Sequence, residues 1–304
     1  MAWLKRMNLE NKLAFIGIVV TVAIAIVSAT WAVTTRVIDK NEKETTEKKT
    51  QILPDPTEHT EPANPNRNYD LAEANEEQKN TFKALELYLL SAVEYGQQEG
   101  NDSINRAKAL SRAGRMYSIL EEYNDAIECY VEAQVIFEAD SEENQIELAY
   151  VYAGLSDVNR YQGNYAKASE LGRNAESIFM REYGANHEST TKAISRLAFI
   201  YLEQGKLDTA LWYFDRELKI HENRWGKDSS PASSVTAIIA MIYAKQGKYD
   251  DAFALYLKAY KNLRDEHGEY STHAKTCLDA LRKDYTSSGL SQPFDTWLAT
   301  QLAE

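Results

Sequence analysis

Three patterns of hydrophobic and polar positions succeed one another along the chain. From Leu13 to Thr35 no residue is charged, and Lys12 and Arg36 bracket the run. At a rise of about 1.5 Å per residue, this stretch predicts a helix long enough to cross a hydrocarbon layer of about 30 Å. Residues 36–68 are polar and hold Pro54, Pro56, Pro62 and Pro65, with little to bury, which predicts a flexible tether. Beyond it, small and apolar residues return one, three or four positions apart. Leu110, Ala113, Gly114 and Tyr117 form one such stripe, Ile194, Leu197, Ala198 and Tyr201 another, and Thr236, Ile239, Ala240 and Tyr243 a third. That spacing predicts helices with one buried face.

The stripes recur with a fixed period. Ala84, Ala126, Ala168, Ala210 and Ala252 are 42 residues apart at each step, as are Gly163, Gly205, Gly247 and Gly289, and Gly184, Gly226 and Gly268. Three registers sharing one period predict a repeated pair of antiparallel helices. The glycine between the helices takes the left-handed conformation that ends the first of them. In the second helix a small residue faces a ring, as with Ala126 and Tyr130 or Ala252 and Tyr256. Neither helix buries its stripe alone, so stacked neighbours must supply the core. The copies are unequal. Glu121 stands where later copies have glycine; Asn159 replaces the usual tyrosine and Gly172 the usual aromatic, so the second unit should pack less tightly or bend.

The segments Tyr201–Phe214 and Tyr243–Tyr256, each with a QGK turn, resemble the tetratricopeptide repeat. The longer period and the glycine-containing linkers between units make the kinesin-light-chain subtype the better likeness. The resemblance covers roughly Asn105 to Ala274, with repeats near 107–148, 149–190, 191–232 and 233–274. Half-repeats flank these, and a C-terminal cap anchored by Phe294 and Trp297 is expected within a solenoid spanning 69–304. The expected fold class is therefore all-α: a right-handed α-solenoid of antiparallel helix pairs, preceded by a single transmembrane helix at 13–35 and a short flank at 1–12. A cleaved signal with a processing site near Val27–Ala29 is the alternative to a retained anchor. The short flank and long polar body favour a single-pass membrane protein with its bulk outside the cytoplasm, periplasmic if the source is bacterial.

The resemblance implies a concave surface lined by first helices that binds extended peptides. Candidate groove residues are Lys108, Arg112 and Arg115 in the first unit, and Tyr150 and Arg160 in the second, with Asp157 beside them. The third unit adds Lys192, Arg196 and Phe199, and the fourth Met241, near Ala237 and Ile238. Net charge is −12 and the isoelectric point about 5.1, so a nucleic-acid partner is not expected. Against that acidic background the candidate groove is basic and then apolar, which predicts an acidic peptide carrying an apolar or aromatic anchor. Lys192 and Arg196 resemble part of the family's carboxylate clamp, but Ser111, Arg115 and Gly154 depart from it. Kinesin light chains bind acidic, tryptophan-containing peptides, which makes the same class of partner the analogy here.

Catalysis is not expected. The five histidines make no HExxH, phosphate-binding glycine motifs are absent, and Cys129 and Cys277 lie far apart in helical patterns as buried hydrophobes. No cofactor is expected. The sequence reading is thus a membrane-anchored interaction scaffold or adaptor. Its alternatives are a permanent subunit of an envelope or secretion-type membrane complex and a regulator of a membrane enzyme.

Overall fold

A computed structural model describes residues 64–139 and 142–303, and every regular element in them is helical. The elements are α1 (Pro65–Glu77), α2 (Thr81–Glu99), α3 (Ile104–Ile119), α4 (Tyr123–Ala139), α5 (Gln145–Tyr161) and α6 (Tyr165–Tyr183). They continue with α7 (Glu188–Glu203), α8 (Leu207–Trp225), α9 (Ser230–Lys245), α10 (Tyr249–His267), α11 (Thr272–Ser288) and α12 (Phe294–Ala303). Each odd-numbered helix pairs with the even-numbered one that follows, and successive pairs stack.

Among the described residues no helix is long and apolar enough to cross a membrane. The described helices are amphipathic pieces whose polar faces carry charge. The segments 1–12 and 13–35 lie outside the described residues. The architecture of the described residues is corrected accordingly to an all-α solenoid of paired helices. The membrane anchor, the single-pass topology, the membrane contact through 13–35 and the extracytoplasmic placement are dropped from it.

Local chemistry explains where the helices begin and end. Asn64 accepts a hydrogen bond from the Arg67 amide at 3.1 Å, with Pro65 in the first turn, so α1 begins inside the stretch read from sequence as tether. Ser103 and Ser271 cap α3 and α11 in the same way. First helices close with a bond from the residue after the turn to the carbonyl of the repeat's tyrosine register: Lys206 to Tyr201 and Lys248 to Tyr243, both at 2.9 Å. The intervening Gly205 and Gly247 have φ of 73° and 77°. Glu121 meets the same demand at φ 61°, a conformation that costs a residue with a Cβ about 1 kcal/mol.

The core follows the period. Ala84, Ala126, Ala168, Ala210 and Ala252 are fully buried, and Tyr88, Tyr130, Phe214 and Tyr256 fill the space one turn later. Where the second unit has Gly172, the neighbouring helix closes in: a Cβ there would lie 2.9 Å from Leu197 Cδ2. At Gly154 an added Cβ would land in the Tyr130 ring, so this glycine admits the ring of the preceding unit. The cap is present. Trp297 packs on Phe253 and Tyr285, with ring centroids 5.4 and 4.7 Å apart, and the Arg282 guanidinium lies 4.4 Å from the Phe294 ring.

One register is broken by charge. Ser91, Ala133, Ala175 and Ala259 are small and buried, but Glu217 stands in the same position with only 7 % exposure. One turn on, His221 stands where Tyr95, Phe137, Phe179 and Leu263 fill the core. His221 Nε2 is 3.6 Å from Glu217 Oε1, while Glu217 Oε2 and His221 Nδ1 are buried without a hydrogen-bond partner. Burial pushes the Glu217 carboxyl up to about 7, against a weaker hydrogen bond from Ser195. Burial, and then the nearby Arg224, push His221 down.

Two outcomes follow from this packing. Glu121→Gly should stabilise the protein by about 1 kcal/mol in denaturant titration, because glycine adopts the left-handed turn without a Cβ clash. Glu217→Gln should flatten the pH dependence. The folded protein holds the Glu217 proton until about pH 7, so the wild type loses stability as pH rises from the ordinary carboxylate range toward 7. That loss is on the order of 2–3 kcal/mol. His221 contributes with the opposite sign: its depressed folded pKa adds stability as pH rises toward the ordinary histidine range. The gain from Glu217→Gln, measured by denaturant titration, should therefore be larger at pH 8 than at pH 5.

Candidate peptide-binding face

The first helices repeat one charge spacing. In Glu73–Arg112, Glu76–Arg115, Lys108–Glu147 and Asp157–Arg196 the opposite charges are 39 residues apart, one repeat less nearly one helical turn, which brings their side chains level; Arg160 and Glu203 are 43 apart. Arg112 of α3 pairs with Glu73 of α1 at 3.5 Å and with Glu76 at 4.0 Å, and Arg115 also bonds Glu76. Glu76 is itself fixed by the hydroxyl of buried Tyr88, which donates to it at 2.8 Å. Lys108 reaches Glu147 of α5 at 3.9 Å. Between α5 and α7, Asp157 accepts from Arg196 at 2.7 Å, and Arg160 pairs with Glu203 at 2.6 Å. Arg160 also covers the Tyr161 ring, 4.3 Å from its centroid.

Lys108, Arg112, Arg115, Arg160 and Arg196 are thus each engaged by an acid on a neighbouring first helix. Lys192 pairs within its own helix with Glu188 at 2.6 Å, which holds that carboxyl below the usual range. The face is graded in accessibility. The Arg112 and Lys192 side chains remain 41 % and 65 % exposed, whereas Arg160 is 18 % exposed. Exposed pairs of this kind are weak, so an incoming carboxylate can replace or join the partner acid. Arginine supports joining, because its guanidinium has five N–H donors and these contacts use few of them.

The aromatic and apolar candidates divide. Tyr150 is on the face, 49 % exposed, its hydroxyl 3.1 Å from Ser189 Oγ and its ring edge-on to Phe179. Phe199 turns toward its own repeat and packs edge-on against Phe214, with centroids 5.2 Å apart. Met241 likewise packs partly buried on the core beneath α9. Phe199 and Met241 thus support the face from below more than they project from it. Glu73, Glu76 and Glu147 are the residues that sequence reasoning missed. The 39-residue spacing of opposite charges was the signal that could have found them.

Residues 145–223 match the family model described as tetratricopeptide repeat. Two curated plant proteins of Arabidopsis thaliana are similar. Kinesin light chain-related 2 is 27 % identical over 150 residues, covering 49 % of this chain and 22 % of its own length. Kinesin light chain-related 1 is 24 % identical over 181 residues, covering 57 % of this chain and 29 % of its own. A crystal structure titled as a Podosopora anserina kinesin light chain with nearly identical TPR-like repeats superposes with a TM-score of 0.60. It does so at 15 % identity, over 68 % of this chain and 99 % of that one. The chain is a tetratricopeptide-like repeat protein, distantly similar to kinesin light chains. The matches span less than a third of the curated relatives' length, so the likeness fixes the repeat class and no more.

The repeat class that the chain resembles is known as a non-catalytic scaffold. Among the described residues no group of three or more His, Cys, Asp or Glu side chains could hold a metal ion. His267 and His273 stack on one another, with centroids 5.1 Å apart.

Proposed function

We propose that this protein is an interaction scaffold whose first-helix face receives an acidic peptide segment. The observation that carries the reading is the line of half-exposed Lys108, Arg112, Arg115 and Lys192, held in place by weak pairs with neighbouring acids. Pre-positioned cations lower the ordering cost of binding, because their side chains are already fixed before the partner arrives. Downstream, Ala237, Ile238 and Met241 of α9 pack partly buried on the core, and the expected apolar or aromatic anchor of the peptide would rest on what they leave exposed.

A second reading has its own support. Each of these cations is already paired, so the ladder also works as a staple between repeats. In that case the partner would engage another surface, and the protein would be a stable subunit of a larger assembly.

A fluorescent acidic peptide with one tryptophan, titrated against the full chain, separates the readings. Under the scaffold reading, binding weakens steeply between low and moderate salt, and the Arg112→Gln, Arg115→Gln double variant binds at least about tenfold more weakly. Circular dichroism should show the variant's helices unchanged. Equal binding by both proteins would favour the staple.

A further inference from the structure

The second unit lacks the tyrosine that the other repeats place at the end of the first helix. Asn159 takes the register of Tyr117, Tyr201, Tyr243 and Tyr285. Beside it an open cleft of about 840 Å³ separates the turn of the second unit from the turn of the third. That volume falls within the range of small-ligand sites, roughly 300–1,000 Å³. The cleft follows from the missing ring: a side chain that fills space in neighbouring units is replaced by one that leaves it.

The lining is chemically one-sided. Lys167, Arg173 and Lys206 line the cleft and no carboxylate does, in a chain whose net charge is −12. Arg173 is held in place by a hydrogen bond from its Nη1 to the Tyr201 hydroxyl at 2.7 Å, which leaves its other N–H groups for a ligand. Lys206 lies 5.8 Å from the Tyr201 ring centroid. Lys167 has a neighbour, Glu170, at 3.4 Å, which offsets part of one charge. Gln204 also lines the cleft, and its side-chain carbonyl oxygen is buried without a partner. Gln246, one repeat on, has a similar orphan oxygen with its amide tied to Asp208, so the oxygen alone marks nothing. What this turn brings together is open space and three cations.

We infer that this cleft is a binding site for a phosphoryl group. Two uncompensated cations and a partly compensated third match a dianion better than a single carboxylate. The site is separate from the peptide reading of the first-helix face and does not depend on it.

Calorimetry on the full chain tests this with four probes: inorganic phosphate, glycerol 3-phosphate, N-acetyl-phosphoserine amide and N-acetyl-aspartate amide. Asn159→Tyr restores the residue of the other repeats and fills the cleft, so it should fold and raise Tm. Arg173→Gln keeps a donor for Tyr201 but removes the charge. The phosphorylated probes should bind the wild type, with either variant at least tenfold weaker, and the aspartate probe at least tenfold weaker than its phosphoserine counterpart. Tighter binding of glycerol 3-phosphate would identify a small-molecule ligand and tighter binding of the phosphoserine probe a modified peptide; both uphold the site. Equal binding of the aspartate probe, undiminished binding by Asn159→Tyr, or no binding of any phosphorylated probe at millimolar concentration would overturn it.

Discussion

The structure depends on a small side chain facing a ring across each helix pair. Ala84, Ala126, Ala168, Ala210 and Ala252 are buried completely because no larger residue would let the helices approach. The ring one turn later then fills what the alanine leaves open, and each pair presents an apolar face that only the next pair can cover. The cap closes the series by placing Trp297 and Phe294 over the last of these faces. Everything else on the chain is arranged around that requirement, including the register that brings first-helix charges level.

Departures from the register are therefore informative. Gly172 is compensated by the approach of Leu197, so no void is left there. Asn159 is not compensated in this way, and a cleft remains beside it. Glu217 and His221 put a carboxyl and an imidazole where other units bury alanine and phenylalanine, with two ring and carboxyl atoms left unpartnered. A repeat tolerates one such position because its stability is a sum over neighbouring interfaces, each carrying part of the load.

Much of this was legible in the sequence because periodicity survives single substitutions. The helix pairs and the glycine turns, with Glu121 as the exception, could be read from spacing. The α1 helix could not: Pro65 and the polar residues around it resemble a tether, and only the Asn64 cap reveals a helix start. The apolar run at 13–35 suggested a membrane-anchored architecture, but the described helices supply no membrane span, and the fold of the described residues is a solenoid. The candidate face was half legible. Counting cations found Arg112, Arg115, Arg160 and Arg196, but their acids lie on neighbouring helices and appear only when opposite charges are compared one repeat apart. Phe199 and Met241 share the helical register of the face, yet their side chains lean back onto the core.

The central claim is that the first helices form the recognition surface. Hydrogen–deuterium exchange of the full chain, with and without a saturating acidic tryptophan-containing peptide, tests it most directly. Added protection concentrated in α3, α5, α7 and α9, with α4, α6 and α8 unchanged, is the result this account predicts. Protection confined to the second helices or to α12 would contradict it and move recognition to another face of the solenoid.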